Sequence, residues 1–288
     1  MSYVIMIDSN SEIPYQFAEE HDLPVFQMPY TLNGKEYYYD LGKEIDIKDF
    51  YRQVRAGALP ITSTRAPQDY YDFWKPVLEQ GKDIIHISFS SKLSSAYSFA
   101  SSKREEILEE FPDRKLALID TLSISMGVGI LIYNAVEMKA NGASFEEVTE
   151  WIENNKLKVN HWFTVDDLNH LKRGGRVSGA AAFMGTILEI KPILKVNEEG
   201  GLVPVDKVKG RKKALRYLVT QIENRIVEPE KQMIAIMHAD CEADADILEA
   251  MIKEKISCKE IWKVPVGPVI GSHAGAGTLA LLFIGESR

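Results

Sequence analysis

Short apolar runs rich in Val and Ile alternate along the chain with longer segments in which apolar positions recur every three to four residues. The short runs predict strands at 3–7, 25–28, 84–88, 116–119, 162–165, 193–196, 233–237, 260–264 and 279–284. Helices are expected between most of them. One over 46–56 stops at Gly57, one over 67–80 stops at Gly81, and Ser144-Phe145-Glu146-Glu147 is a capping box opening a helix toward Lys156. Asn33-Gly34, between two short strand-like runs, predicts a type I′ hairpin, and 197–201 predicts a second. This alternation makes the fold α/β, with a mainly parallel N-terminal sheet and a mixed C-terminal sheet, the hairpins being expected to supply antiparallel strands. A strand opening near Trp162 after two consecutive helices divides the chain into an N-terminal α/β domain, 1–160, and a C-terminal α/β domain, 161–288.

Composition narrows the function classes. With 288 residues, 45% hydrophobic, and 34 Lys+Arg against 42 Asp+Glu, the chain reads as an ordinary soluble globular protein. That length buries a large core without disulfide or structural metal. Cys241 and Cys258 form no C-x-x-C pair, so neither a disulfide framework nor a zinc site is indicated, and a reducing cytoplasm fits. The N-terminal apolar run stops at Asp8 without a basic n-region and reads as a first strand. The richest apolar stretch, 179–194, is broken by Glu189, Lys191 and Pro192, which excludes a membrane span though not contact with a membrane. The charge is uneven: residues 161–288 hold 18 basic and 17 acidic side chains, and between Lys172 and Arg216 there are 11 basic against 4 acidic. A locally basic segment in an acidic protein suits docking to something anionic, although a solvated helix face explains the count equally well.

The residues just after α/β strands are where ligands bind, and here they are mostly hydroxyls: Asp8-Ser9-Asn10-Ser11, Thr62-Ser63-Thr64, Ser90-Ser91-Lys92-Leu93-Ser94-Ser95 and Asp120-Thr121-Leu122-Ser123. Each cluster opens a helix, so one residue in each serves as an N-cap, and the surplus hydroxyls call for another use. The stretch from Gly267 to Thr278 carries four glycines and His273, which gives backbone access and one titratable group. Of the other histidines, His86 reads as a satisfied core residue, His21, His161 and His170 as surface or interface positions, and His238 as the end of a strand near Asp240 and Cys241. Lys172-Arg173-Gly174-Gly175-Arg176-Val177-Ser178-Gly179 joins flexible backbone to fixed positive charge without matching a nucleotide-binding pattern, and a helix of small residues is expected after it over 179–188. G-x-S-x-G and H-E-x-x-H are absent, and no metal or cofactor is indicated.

These motifs, with Ser125-Met126-Gly127-Val128-Gly129 and Val269-Ile270-Gly271-Ser272-His273-Ala274-Gly275, together resemble the DegV family and fall in order across the whole chain. The resemblance implies a long-chain fatty acid held between two α/β domains, with no catalysis and no cofactor of the protein's own. It also implies that the acid is presented to a separate ATP-dependent fatty acid kinase subunit. The family's carboxylate-binding Thr, Ser and His fall on Thr62, Ser94 and His273. Ser63, Ser91, Ser95, Arg176, Gly271 and Gly275 are expected around them. Lys209, Arg211 and Lys212 are expected to dock the kinase or touch an anionic membrane surface transiently, with no role for nucleic acid. The chain departs from the family at Lys92 and Ser95-Ala96, where Gly and Gly-Thr are usual, and at Lys209, where Arg is usual. Two rival readings remain at this point: an acyl hydrolase using Ser94 and His273, and a binder of a phosphorylated small metabolite using the loop 174–176.

Overall fold

The computed structural model describes residues 2–177 and 190–288. The helix expected over 179–188 lies outside these described residues. The N-terminal part contributes strands β1 (Tyr3–Asp8), β2 (Val25–Phe26), β3 (Pro29–Leu32), β4 (Lys35–Tyr38), β5 (Ile61–Thr62), β6 (Asp83–Ser88) and β7 (Leu116–Asp120). The remainder contributes β8 (Val159–Thr164), β9 (Ile190–Val196), β10 (Leu202–Lys209), β11 (Met233–His238), β12 (Glu260–Pro265) and β13 (Leu279–Ile284). Between them run helices α1 (Tyr15–Glu20), α2 (Ile47–Arg55), α3 (Pro67–Glu79), α4 (Ala96–Glu110), α5 (Met126–Ala140), α6 (Phe145–Asn155), α7 (Leu168–Arg173), α8 (Arg211–Arg225), α9 (Glu242–Lys253) and α10 (Pro268–Ala274).

A four-stranded sheet of order β2-β1-β6-β7 is parallel throughout, and a six-stranded sheet of order β10-β9-β8-β13-β11-β12 is mixed, with β11 and β12 its parallel pair. The first hairpin forms as expected: Leu32 pairs with Lys35 across Asn33 and Gly34, both at positive φ. It does not enter the parallel sheet. It builds a third sheet, β4-β3-β5, in which Tyr30 pairs with Thr62. The capping box at Ser144 and Glu147 is present, and 197–201 connects β9 to β10 as the second hairpin.

α5 decides how the sheets assemble. Residues 126–133, its first two turns, are buried on every side, and only toward its C-terminal end do Asn134, Glu137 and Lys139 reach the surface. It packs against β6 on one side and against β8, β11 and β13 on the other, and one apolar cluster runs continuously through both sheets around it. Its entry is held by polar bonds. The buried Arg288 side chain donates to the carbonyls of Leu122 (2.6 Å), Val159 (3.0 Å), Asn197 (3.0 Å) and Lys156 (2.7 Å) and to Ser123 Oγ (2.9 Å), fixing the loop before α5.

Two buried acids tie down the loops after the strands. Asp8 accepts hydrogen bonds from Ser88 Oγ (2.9 Å), the Phe89 amide (3.2 Å) and His86 Nε2 (2.9 Å), while Trp74 Nε1 donates to His86 Nδ1 (2.9 Å). An indole N–H can only donate, so Nδ1 accepts and Nε2 carries the proton. His86 is thus the satisfied core residue that its strand implied. Glu12 sits wholly buried; its Oε1 accepts from the Gly267 amide at 2.5 Å, and its Oε2 is hydrogen-bonded by the Ser125 hydroxyl. Burial pushes its pKa up to about 8 although both hydrogen bonds pull the other way, so it is mostly neutral at pH 7.

Two expectations follow from these acids. Replacing His86 by Ala leaves Asp8 Oδ1 and the Trp74 N–H unpaired in the core. It should lower the unfolding free energy by roughly 3–5 kcal/mol, read as a lower urea midpoint. Glu12 keeps its proton up to about pH 8 when folded but releases it near 4.5 when unfolded, so the folded state binds more protons between those values. Its contribution is therefore complete below pH 4.5 and is lost as pH rises through 8. Between pH 5 and 8.5 the wild type should lose on the order of a few kcal/mol relative to Glu12→Gln, and parallel stability curves would contradict this.

Candidate functional site

Loops singled out by hydroxyls and glycines meet at a cavity that lies against one face of the six-stranded sheet, beyond the carboxyl ends of β1, β6 and β7. Its empty space is about 910 Å³ with the open mouth included. The wall is mainly apolar, built by Phe89, Leu93, Phe163, Leu171, Met237 and Leu282 among others. Phe163 and Leu282 come from adjacent strands, where Phe163 pairs with Ala280 and His161 with Leu282.

Three half-buried polar side chains stand together on the outer part of the wall. β5 delivers Thr62 because its pairing with β3 turns that short strand toward α10. The last turn of α10 delivers His273, and the turn before α4 delivers Ser94. Thr62 Oγ1 and His273 Nε2 are 2.8 Å apart. Ser94 Oγ accepts the Ala96 amide at 3.2 Å, which leaves its own proton for a ligand. Burial first, then the nearby Arg176 cation, pulls the His273 pKa down to about 4, so the ring is neutral at pH 7. His273 Nδ1 has no hydrogen-bond partner among the described residues. Gly174 backs directly onto this ring; a Cβ there would come within 2.4 Å of Nδ1. Arg176 lines the same end, donating to the carbonyls of Leu93 (3.3 Å) and Gly174 (2.5 Å). Two hydroxyls, an imidazole and a guanidinium at the rim of an apolar cavity suit an acid with a long apolar tail. Among the described residues acyl-transfer geometry is not formed: the ring nitrogen engages Thr62 rather than Ser94, and no described carboxylate supports Nδ1.

The wider set of expected residues divides. Ser63 lines the cavity mouth with Arg176. Ser91 and Ser95 are exposed and outside the lining, with Ser95 Oγ 3.4 Å from Thr64 Oγ1. Gly271 and Gly275 act behind the wall: a Cβ at the first would strike Tyr51, and the second has φ +75 beside His170. Lys92 directs its ammonium toward Glu199, 3.5 Å away. His161, expected at a surface or interface, is instead buried and lines the cavity, because β8 is covered on both faces. Its ring fits because position 127 is glycine; a Cβ there would lie 1.9 Å from Nε2.

The basic segment also divides. Arg211 is not available for docking: its Nε donates to Asp244 at 2.9 Å and its Nη1 lies 3.8 Å from Asp166, so it joins the start of α8 to the rest of the fold. Lys209, Lys212, Lys213 and Arg216 are exposed. Asn10 and Ser125 lie in loops that the sequence marks but are not among the individual site residues, and Arg288 is not marked at all. The first two are the surplus polar members of their loops, and for Arg288 no local pattern marks a long-range anchor.

The sequence profile of the DegV family, described as an uncharacterised protein family, matches residues 2–286. A DegV domain-containing protein of Clostridium perfringens is 41% identical over 286 residues, covering 99% of this chain and 98% of the relative. A DegV family protein from Thermus thermophilus, described for its fatty acid binding, superposes with a TM-score of 0.88 at 28% identity, covering 99% of this chain and 100% of that one. DegV from Bacillus subtilis, described as a fatty acid binding protein, gives 0.85 at 28% identity over 99% of this chain and 100% of its own. A match along nearly its whole length, in both sequence and fold, shows that the chain belongs to the DegV family.

Proposed function

We propose that this protein binds a long-chain fatty acid with its tail in the apolar cavity and its carboxylate on Thr62, Ser94 and His273, and presents it without chemistry of its own to a separate ATP-dependent fatty acid kinase. The observation that carries the binding reading is the cavity itself: an apolar interior whose mouth gathers Thr62, Ser94, His273 and Arg176. The two solved relatives described as fatty acid binding support it. Energetics divide the work: burying roughly fourteen methylenes at ~0.8 kcal/mol each contributes about 11 kcal/mol before ordering costs, while each hydrogen bond to the carboxylate adds ~1.5–3 kcal/mol. The tail supplies affinity, and the polar trio sets the position of the head group.

The kinase partner follows from the family resemblance, and the charge of α8 supports a docking role for Lys209 and Lys212. The first turn of α8 holds Arg211, Lys212 and Lys213 and no acid, against the positive end of the helix dipole. That arrangement disfavours the isolated helix and suits an acidic partner surface. Leu59 and Ile61, 61% and 66% exposed beside Thr62, suit transient contact of the mouth with an anionic membrane surface. No described helix is long and apolar enough to cross a membrane. A cytoplasmic setting and a division into domains 1–160 and 161–288 remain part of this reading.

Denaturing the purified protein and analysing the organic extract by mass spectrometry should recover long-chain fatty acid at up to one molecule per chain. Thr62→Ala or Ser94→Ala should weaken rebinding by ~1–3 kcal/mol without abolishing it. An empty extract from protein that also takes up no acid on titration would overturn the reading. Charge reversal of Lys209 and Lys212 to Glu should leave fatty acid affinity near wild type and lower acyl phosphorylation by the kinase. Loss of lipid binding in proportion to turnover would place these lysines in the pocket's support instead.

A further inference from the structure

The cavity has a second polar end that the carboxylate trio does not use. Thr62, Ser94 and His273 are half-buried at the mouth, whereas Asn10, Ser125 and His161 line the same cavity at 4%, 7% and 3% exposure. This gradient of burial orders the cavity from mouth to floor. The Glu12 carboxyl bridges Ser125 and the Gly267 amide at the start of α10, while His273 stands in its last turn. Six residues of helix separate Gly267 from His273, so the floor lies on the order of 9 Å beyond the head group.

Polar groups here are not accounted for by the fold. Within the Asp8-Ser9-Asn10-Ser11 cluster, Asp8 anchors the β6 loop and Ser9 Oγ accepts the Met28 amide at 3.0 Å. Asn10 Oδ1 is buried with no partner among the described residues. Ser125 Oγ pairs with the Glu12 carboxyl and keeps a lone pair beyond that bond, so it can still accept. Against these groups a plain methylene chain leaves a buried acceptor unsatisfied, which is unfavourable.

We infer that this floor is a recognition site for a hydroxyl group carried along the acyl chain, well beyond the carboxylate, with the Asn10 side-chain amide and Ser125 Oγ as its hydrogen-bond partners. The inference deepens the fatty-acid reading and rests on it. It makes the protein a selector of hydroxylated over plain long-chain acids within one window of hydroxyl positions.

The test is a titration of delipidated wild-type protein with octadecanoic acid and with a series of monohydroxyoctadecanoic acids whose hydroxyl moves stepwise down the chain. Where the hydroxyl meets apolar wall, affinity should fall about thirtyfold or more relative to the parent acid. Over a narrow window it should come within threefold of the parent or exceed it. Asn10→Leu should reduce the ratio of hydroxy-acid to parent affinity in that window at least tenfold, and should Asn10→Leu not fold, the wild-type series decides alone. Uniform weakening at every position, with the parent acid bound, overturns this inference and leaves the fatty-acid reading standing. Failure of the parent and all hydroxy acids to bind overturns both.

Discussion

The structure depends on hiding α5. A helical stretch buried on every side, as residues 126–133 are, cannot sit on a surface, and a single sheet covers only one side of it. Two sheets on opposite sides satisfy it, so the four-stranded and six-stranded sheets share a continuous core. The ligand cavity is a by-product of this arrangement. Where α5 begins, the loops after β1, β6 and β7 must turn away from the six-stranded sheet, and the space between them and β8, β11 and β13 remains unfilled. The glycine at 127 and the Arg288 anchor keep this end of α5 in place.

Much of the polar equipment near the cavity is structural. Asp8, His86 and Trp74 satisfy one another, and Glu12 holds α10 to α5 while staying mostly neutral at pH 7. At the mouth His273 is neutral at pH 7, and Arg176 supplies the nearby cation. On the proposed fatty-acid reading, the carboxylate would meet neutral donors with a cation beside them, the tail would govern retention and the mouth orientation.

The chain carries two kinds of basic residue in one segment. Arg211 is enclosed by Asp166 and Asp244, and its planar guanidinium suits this shared, partly buried role. Its neighbours Lys209, Lys212, Lys213 and Arg216 project into solvent. A count of basic residues along the segment treats all of them alike. Only the position of Asp166 after β8 and of Asp244 in α9 separates the structural cation from the others.

Local chemistry was legible from the sequence because it is written in short-range rules. Alternating apolar runs located the strands, Asn33-Gly34 located a hairpin, Ser144 and Glu147 a capping box, and the glycines around His273 a place where backbone comes close to side chains, although that stretch forms helix α10 rather than a loop. Thr62, Ser94 and His273 were legible as separate surplus polar groups, and the family resemblance joined them. The tertiary structure alone decided the rest. It sent the first hairpin into its own sheet, buried His161 rather than exposing it, enclosed Arg211, and brought Asn10 and Ser125 to the floor of one cavity. The physical reason is the same in each case. Burial and hydrogen-bond partnership depend on which segments distant in sequence pack together, and here that packing is set by the two sheets closing over α5, which no local pattern encodes.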